Sequence, residues 1–403
     1  MGLTLKLNTL RFTFNLIIAL IWIKLLFSYL SVKLSYFQRH LIPNVEKFNP
    51  LELPENFSKN IEFFLFPILF YCIIKYFRTF DKWIKEVILI SFVMFFLNII
   101  TGIINQKTIL ESLNYSLKLF APIYLFCFLI ISHNNSNIDI KKVVFRTIYI
   151  CIILTFFAIV FFNPSFNRLR NFLPIYFNGI HTHSYVLVSV FIGLSYQLYR
   201  LKKYRTMVVF ILLSIIFMYF GYNVRTPLLM YLLYAVTMVY LVSDIIFKVL
   251  IFKILIFAPF ILLFIILSVD LGELSSGRID MYIEKANQLF EFGFIDWIFG
   301  KGAGSDLISS DVWWWEKKGA HSDLITYLVE NGIVYLMFFA LLFLKITVRK
   351  KKANIIYMSI LIGGLLTSTI SNGIFSRPIA AYLFFIMLAN IYIENKNHKQ
   401  LKI

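Results

Sequence analysis

Runs of about twenty apolar residues recur along this chain, and each matches the ~30 Å hydrocarbon core of a bilayer at 1.5 Å rise per residue. The runs are continuous, without period-two alternation, which favours helices over a strand barrel. The 403 residues are 60% hydrophobic, include 45 Phe and are only 15% charged. A soluble protein of this length has too little interior to hide that surface. The sequence therefore predicts an all-α, polytopic integral membrane protein with about twelve transmembrane helices. The expected spans are 13–32, 61–78, 84–104, 109–131, 143–162, 181–199, 206–221, 227–243, 249–269, 322–344, 354–375 and 378–394. Two connections are long, 33–60 and 270–320. The expected organisation is a nine-span membrane region over 1–269, one large extracytoplasmic loop over 270–320, and a three-span region with a cytoplasmic tail over 321–403.

The net charge of +18 invites a nucleic-acid reading, but the positions of the charges give a plainer one. With both termini cytoplasmic, most Lys and Arg fall in inner segments: Lys6 and Arg11, Lys75 to Lys85, Lys141 to Arg146, Arg200 to Arg205, Lys248 and Lys253, Lys345 to Lys352, and Lys396 to Lys402. This is the positive-inside pattern, so no nucleic-acid partner is expected. Lys6 and Arg11 precede a run of span length with no small-residue cleavage site after it, so no removable signal peptide is expected. Cys72, Cys127 and Cys151 all lie in apolar runs, which leaves no disulfide framework.

The short outer loops break the charge rule. They hold Arg168, Arg170, Arg225 and Arg377, and apart from Lys107 every basic residue there is arginine, the side chain suited to a bidentate grip on phosphate. In "NVRTPLL", Thr226 is the expected N-cap and Pro227 the first helical residue, so Arg225 would sit beside a helix N-terminus that itself attracts anions. In "FSRPIAAYL", Arg377 stands before Pro378 in the same way. A snorkelling interfacial arginine is the alternative. A third candidate, Arg278, opens "SSGRIDMYIEKANQLF", whose Ile279, Ile283, Ala286 and Phe290 predict an amphipathic helix lying on the membrane.

"FGKGAGSD" resembles a phosphate loop but lacks GK[ST] and a preceding strand; its glycines are expected to let the backbone approach something closely. Trp313 to Trp315 suit an aromatic belt, and Trp314 and Trp315 could stack on sugar rings. "HSDLITYLVENG" is the unusual stretch. His321 stands where the large loop re-enters the membrane, and imidazole is the side chain best suited to proton transfer near neutral pH. Asp323, Tyr327 and Glu330 follow on one helix face. Intramembrane carboxylates point to functional sites, so His321, Asp323 and Glu330 are the candidate catalytic groups. His181 and His183 begin the sixth span. No third metal ligand accompanies them, so no metal is expected; a plain interface histidine is the simpler reading, and lining the outer cavity as a glycan contact is the other reading for His183.

Taken in order, "NVRTPLL", "SSGRIDMYIEKANQLF", "IFGKGAGS" and "HSDLITYLVENGIVYL" resemble the bacterial O-antigen polymerase and O-antigen ligase superfamily over about residues 220–395. The resemblance implies an enzyme without cofactor in the bacterial inner membrane. It would transfer a glycan from undecaprenyl pyrophosphate to a lipid-linked acceptor on the outer face, with membrane lipids as surroundings and a chain-length regulator as partner. His321 matches the family's loop histidine, and Arg225 and Arg278 its arginines. His321-Ser322 stands where ligases often read His-Asn. The expected activity is repeat-unit polymerase. The alternatives are a ligase acting on lipid A core, or a glycolipid transporter using the same arginines as a vestibule.

Overall fold

In the computed structural model of the chain, described for residues 2–30, 57–136, 138–161, 180–222, 224–246, 248–250, 253, 256–257, 278–309, 317, 319–348 and 355–400, the apolar runs become helices. These are α1 (Gly2–Leu30), α2 (Phe57–Tyr76), α3 (Lys82–Ile104), α4 (Ile109–Ser136), α5 (Ile140–Phe161), α6 (Ile180–Arg200), α7 (Tyr204–Gly221) and α8 (Arg225–Val242). After them come α9 (Arg278–Phe290), α10 (Phe294–Phe299), α11 (Asp323–Val348), α12 (Ile355–Ile370) and α13 (Pro378–Gln400). Among the described residues there is no strand, only an isolated bridge at Ile308. Among the described residues, eight segments are long and apolar enough to cross a membrane: Thr9–Ser28, Asn60–Thr79, Lys82–Ile104, Ile109–Ser136, Tyr204–Gly221, Arg225–Val242, Asp323–Thr347 and Pro378–Asn395. The helix Ile355–Ile370 is apolar but shorter. Helices α5 and α6 form where two further spans were expected. Most of the expected span 249–269, and residues 33–56, lie outside the described residues.

Two helices form the centre. Of the most apolar 18-residue stretch of α4, 89% is buried within the protein, and of that of α13, 83%; they pack on each other. Around α4 the buried residues run without a break from Leu119 to Ser132, so neighbours cover every face of that stretch. Phe126 of α4 meets Phe385 and Tyr392 of α13 with ring centroids 5.9 and 6.5 Å apart. By contrast α3 and α7 keep rows of large residues such as Leu89, Phe96, Leu212 and Phe220 on their outer surface, as lipid-facing helices do.

Contacts sort the turns into two ends. At one end Arg200 pairs with Glu394 at 3.2 Å, Lys345 with Glu86 at 2.9 Å, and Arg11 donates to the Ser136 carbonyl at 3.5 Å. At the other, Asn105 reaches the Gly300 carbonyl at 3.3 Å, Arg377 reaches Thr182, and Tyr282 donates to the Ile370 carbonyl at 2.9 Å. The segments expected to face the cytoplasm thus meet at the first end, and those expected outside meet at the second. Deep between α1 and α2, Lys24 and Glu62 form a buried ion pair at 3.2 Å.

Candidate functional site

The polar groups around Asp323 and Arg377 at the second end come from α6, α8, α11, α12 and the α12–α13 connection. Ser322 supplies the N-cap of α11: its Oγ accepts from the Ile325 N–H at 3.5 Å and donates to the Thr369 carbonyl at 2.9 Å. With the cap filled, Asp323 turns across to the α12–α13 connection, where its Oδ2 accepts the Gly373 N–H at 3.0 Å. Ser368, Ser376 and the Arg377 guanidinium also face this carboxylate. Gly373 is required there, because an added Cβ would lie 2.2 Å from Ser368 Oγ and 2.6 Å from its backbone. His321 precedes the cap with φ +52°. This left-handed conformation is uncommon outside glycine, though histidine enters it more readily than most residues. It swings the chain out of the loop into α11 and leaves His321 half-buried at the lip of the cluster.

Arg377 is the most informative side chain. Its Nη1 donates to Thr182 Oγ1 of α6 at 3.4 Å, a long bond, while its buried Nε has no acceptor among the described residues. It makes no direct ion pair with Asp323. Burial draws its pKa down, and the neighbouring Tyr185 and Asp323 oppose that. A guanidinium with an unfilled donor is a ready receiver for an oxyanion. Tyr185, fully buried, joins the parts, since Arg377, Asp323, Thr367 and Thr226 all lie within its influence. Thr226 belongs to the first turn of α8, beside the exposed Arg225.

The start of α8 differs from expectation. Val224 is the N-cap, without a side-chain bond, and Arg225 is itself the first helical residue. Thr226 and Pro227 are therefore second and third. The first four N–H groups of a helix have no internal acceptor, so Pro227 is tolerated anywhere in that turn. Pro378 does begin α13. His183 is fully buried and packs on Tyr222, ring centroids 4.3 Å apart. It supports the turn that carries Arg225 and does not line an open cavity.

Asp323 and Glu330 share a face of α11 but not a site. Seven residues place them about 10 Å apart along the axis, and their partners differ. Glu330 Oε1 accepts the Gly304 N–H at 2.7 Å, and Tyr115 of α4 and Asp306 lie nearby. At Gly332 the helix is interrupted, with φ +74° and ψ −179°. The loop fills the gap: the Lys301 N–H donates to the Val329 carbonyl at 2.9 Å and the Gly302 N–H to the Glu330 carbonyl at 2.8 Å. Gly300 and Gly332 permit the approach, since a Cβ on Gly300 would lie 2.4 Å from Asn331 N and one on Gly332 2.2 Å from the Ile298 carbonyl oxygen. The glycines of "FGKGAGSD" thus serve a backbone approach, and what they approach is the break in α11.

Helix α9 anchors the same loop. Lys285 pairs with Asp306 Oδ1 at 3.0 Å, with both side chains buried, and it also donates to the Asp306 carbonyl and to Gln288 Oε1 at 3.1 Å. Asp306 Oδ2 takes the Ala320 N–H at 2.8 Å and the Thr326 hydroxyl at 2.7 Å. Lys285 of α9 therefore points into the protein beside Met281, while Asp280 is exposed. Ile283 and Phe290, the latter 85% exposed, point away, together with Phe294 and Ile295 of α10. That is the orientation of an amphipathic helix lying on a membrane. Arg278 opens α9 at its first residue, but its side chain lies outside the described residues. So do Arg168, Arg170, Trp314 and Trp315. Among the described residues no cluster of three or more His, Cys, Asp or Glu could hold a metal ion.

Comparison with family models, with curated proteins and with solved structures finds no match to this chain. A functional reading therefore rests on the residues themselves.

Proposed function

We propose that this chain is an oligosaccharide repeat-unit polymerase of the O-antigen polymerase type, working on the outer face of a bacterial inner membrane. The donor is a glycan on undecaprenyl pyrophosphate and the acceptor is a second lipid-linked repeat unit. The observation that carries this reading is the under-satisfied guanidinium of Arg377, held at one end of the helical bundle beside Asp323 and the turn bearing Arg225, with His321 at the lip of the same cluster. It suits a substrate that is anionic at the membrane boundary and carries a sugar beyond it.

The chemistry needs little else. An acceptor hydroxyl attacks the anomeric carbon of the donor sugar, and the bond from that carbon to the pyrophosphate oxygen breaks. His321 takes the hydroxyl proton as general base. The departing pyrophosphate keeps the bonding electrons, and Arg225, Arg377 and Arg278 stabilise the added charge. Asp323 holds the connection that carries Arg377 and limits its freedom. Glu330, about two turns deeper, is left out of this machinery. Transfer to lipid A core would use the same steps with another acceptor.

The interruption of α11 favours one rival. Discontinuous membrane helices are a device of transporters, so a glycolipid flippase is the second reading. Purified protein, given lipid-linked repeat units in detergent, distinguishes them. The polymerase reading expects longer lipid-linked glycans and loss of that activity in His321→Gln, which keeps size and hydrogen bonding but cannot accept the proton. The parent should also slow on the acid side, where imidazoles are protonated. Absence of chain growth, combined with movement of the glycolipid between leaflets of proteoliposomes, would replace the polymerase by the transporter.

A further inference from the structure

The break in α11 leaves buried polar groups that glycan transfer does not use. Asn331 is 3% exposed, and neither its Oδ1 nor its Nδ2 has a hydrogen-bond partner among the described residues. The adjoining Glu330 is equally buried; Gly304 serves its Oε1, and the Tyr115 hydroxyl and the Asp306 backbone N–H also bear on the carboxylate, yet its Oε2 meets no donor in good hydrogen-bonding geometry. Asn98 of α3, 1% exposed, is likewise unpartnered at both amide atoms, and so are the hydroxyls of Ser112 and Ser116 on α4. Groups of this kind each cost on the order of 1–3 kcal/mol when buried without a partner, so such a collection points to an occupant.

These groups lie in one layer. Asn105 of α3 binds the Gly300 carbonyl, and Gly300 rests against the Glu330–Asn331 peptide. Asn98 lies seven residues before Asn105, on the same face and about two turns further in. The Lys345–Glu86 pair at the far end shows that α3 and α11 run antiparallel along their length, which sets Asn98 opposite the break. On the α4 side, Ser112 touches Gly102 of α3, and Ser116 is one turn deeper.

The charge balance of the layer is negative. Asp306, the nearest other carboxylate, has its cation in Lys285. Glu330 makes no ion pair among the described residues. The loop takes the Val329 and Glu330 carbonyls and Gly304 takes Glu330 Oε1, so the open side-chain acceptors are the second carboxylate oxygen, two amide oxygens and two hydroxyls. A single carboxylate among neutral oxygens suits a monovalent ion better than a divalent one, which wants more carboxylates. We propose that the break in α11 binds a small monovalent cation, Na+, through Glu330, Asn331, Asn98 and the α4 serines, and that the ion locks the outer half of α11 to α3 and α4. This does not depend on the glycan-transfer reading.

The test is thermal unfolding of the full-length protein in detergent, titrated with NaCl against choline chloride at constant ionic strength, together with binding of radioactive sodium to the parent. A saturable, Na+-specific rise in Tm of several degrees is expected, with bound sodium displaced by unlabelled NaCl. Asn331→Ala and Glu330→Gln should abolish both, and Asn98→Ala, a milder change on another helix, should weaken both. Equal Tm in the two salts with no bound sodium means that the layer holds only water and overturns the proposal. A sodium effect that survives all three substitutions overturns it too, by placing the ion elsewhere.

Discussion

Replacing Gly332 with alanine tests whether the interruption of α11 is built in. Its φ of +74° and ψ of −179° fall in a region of backbone space used almost only by glycine, and a side chain there costs about 1–3 kcal/mol. Space adds a second cost. The new methyl would lie 2.2 Å from the Ile298 carbonyl oxygen and 2.6 Å from the Phe299 nitrogen. Both are backbone atoms, so no side chain can swing aside. Either α10 moves away or α11 winds into a continuous helix. Each outcome strains or loses the bonds from Lys301 to Val329 and from Gly302 to Glu330, each worth about 1 kcal/mol. The total is on the order of 3–5 kcal/mol. Gly304→Ala is the matched control. Gly304 has φ +80°, yet a Cβ there meets nothing within 4 Å, so it reports backbone strain alone. Thermal unfolding in detergent should show Gly332→Ala several degrees below Gly304→Ala, with Gly304→Ala a few degrees below the parent. If the two variants unfold together, the tight approach of loop to helix is not what holds this region.

The Lys285–Asp306 pair should behave as a buried ion pair: Lys285→Met alone should lower stability by about 3–5 kcal/mol because it strands a carboxylate, and Lys285→Met with Asp306→Asn should recover part of the loss in the same melt. Arg377→Lys keeps the charge but loses the planar fork. Initial rates of chain extension should fall about 30- to 1000-fold, equivalent to roughly 2–4 kcal/mol, and a parental rate would reduce Arg377 to a structural role. For sidedness, single cysteines at Ser309 and Lys202 on a cysteine-free background should react with an impermeant maleimide from opposite faces, Ser309 first in intact cells. Reaction of Lys202→Cys first would invert the topology.

The helices were legible because burial in lipid leaves a long uninterrupted signal: the run expected over 84–104 is Lys82–Ile104, and 206–221 is Tyr204–Gly221. For the candidate site, the sequence marks individual charged residues but not their pairings. Asp323 and Arg377 announce themselves as charges near span ends, whereas their link through Gly373, Tyr185 and Thr182 depends on helices distant in sequence. Gly332 was hidden for another reason. One glycine in an apolar run reads as a small helical residue, and only its neighbour Ile298, thirty-four positions earlier, makes it a break. The pairing of Lys285 with Asp306, 21 positions apart, leaves no local signal for the same reason. The start of α8 was misplaced because capping preference is weak beside the packing that fixes that turn.

The Lys24–Glu62 pair bears on how the protein enters the membrane. Lys24 lies four residues before the end of the first span and Glu62 two residues after the start of the second, where the penalty of about 2.5–3.5 kcal/mol for a charge at the centre of a span is reduced, but both side chains are buried. Each helix therefore settles in lipid less well alone than with the other. Together they cancel the cost, because the ammonium and carboxylate meet at 3.2 Å. During synthesis α1 emerges first, and roughly thirty residues separate its end from Glu62. The first helix should therefore linger at the translocon, or with an insertion chaperone, until the second arrives, and the two should partition as a hairpin. A nascent chain halted between them would carry α1 in a state that alkaline carbonate can extract; the same chain extended past Glu62 would not.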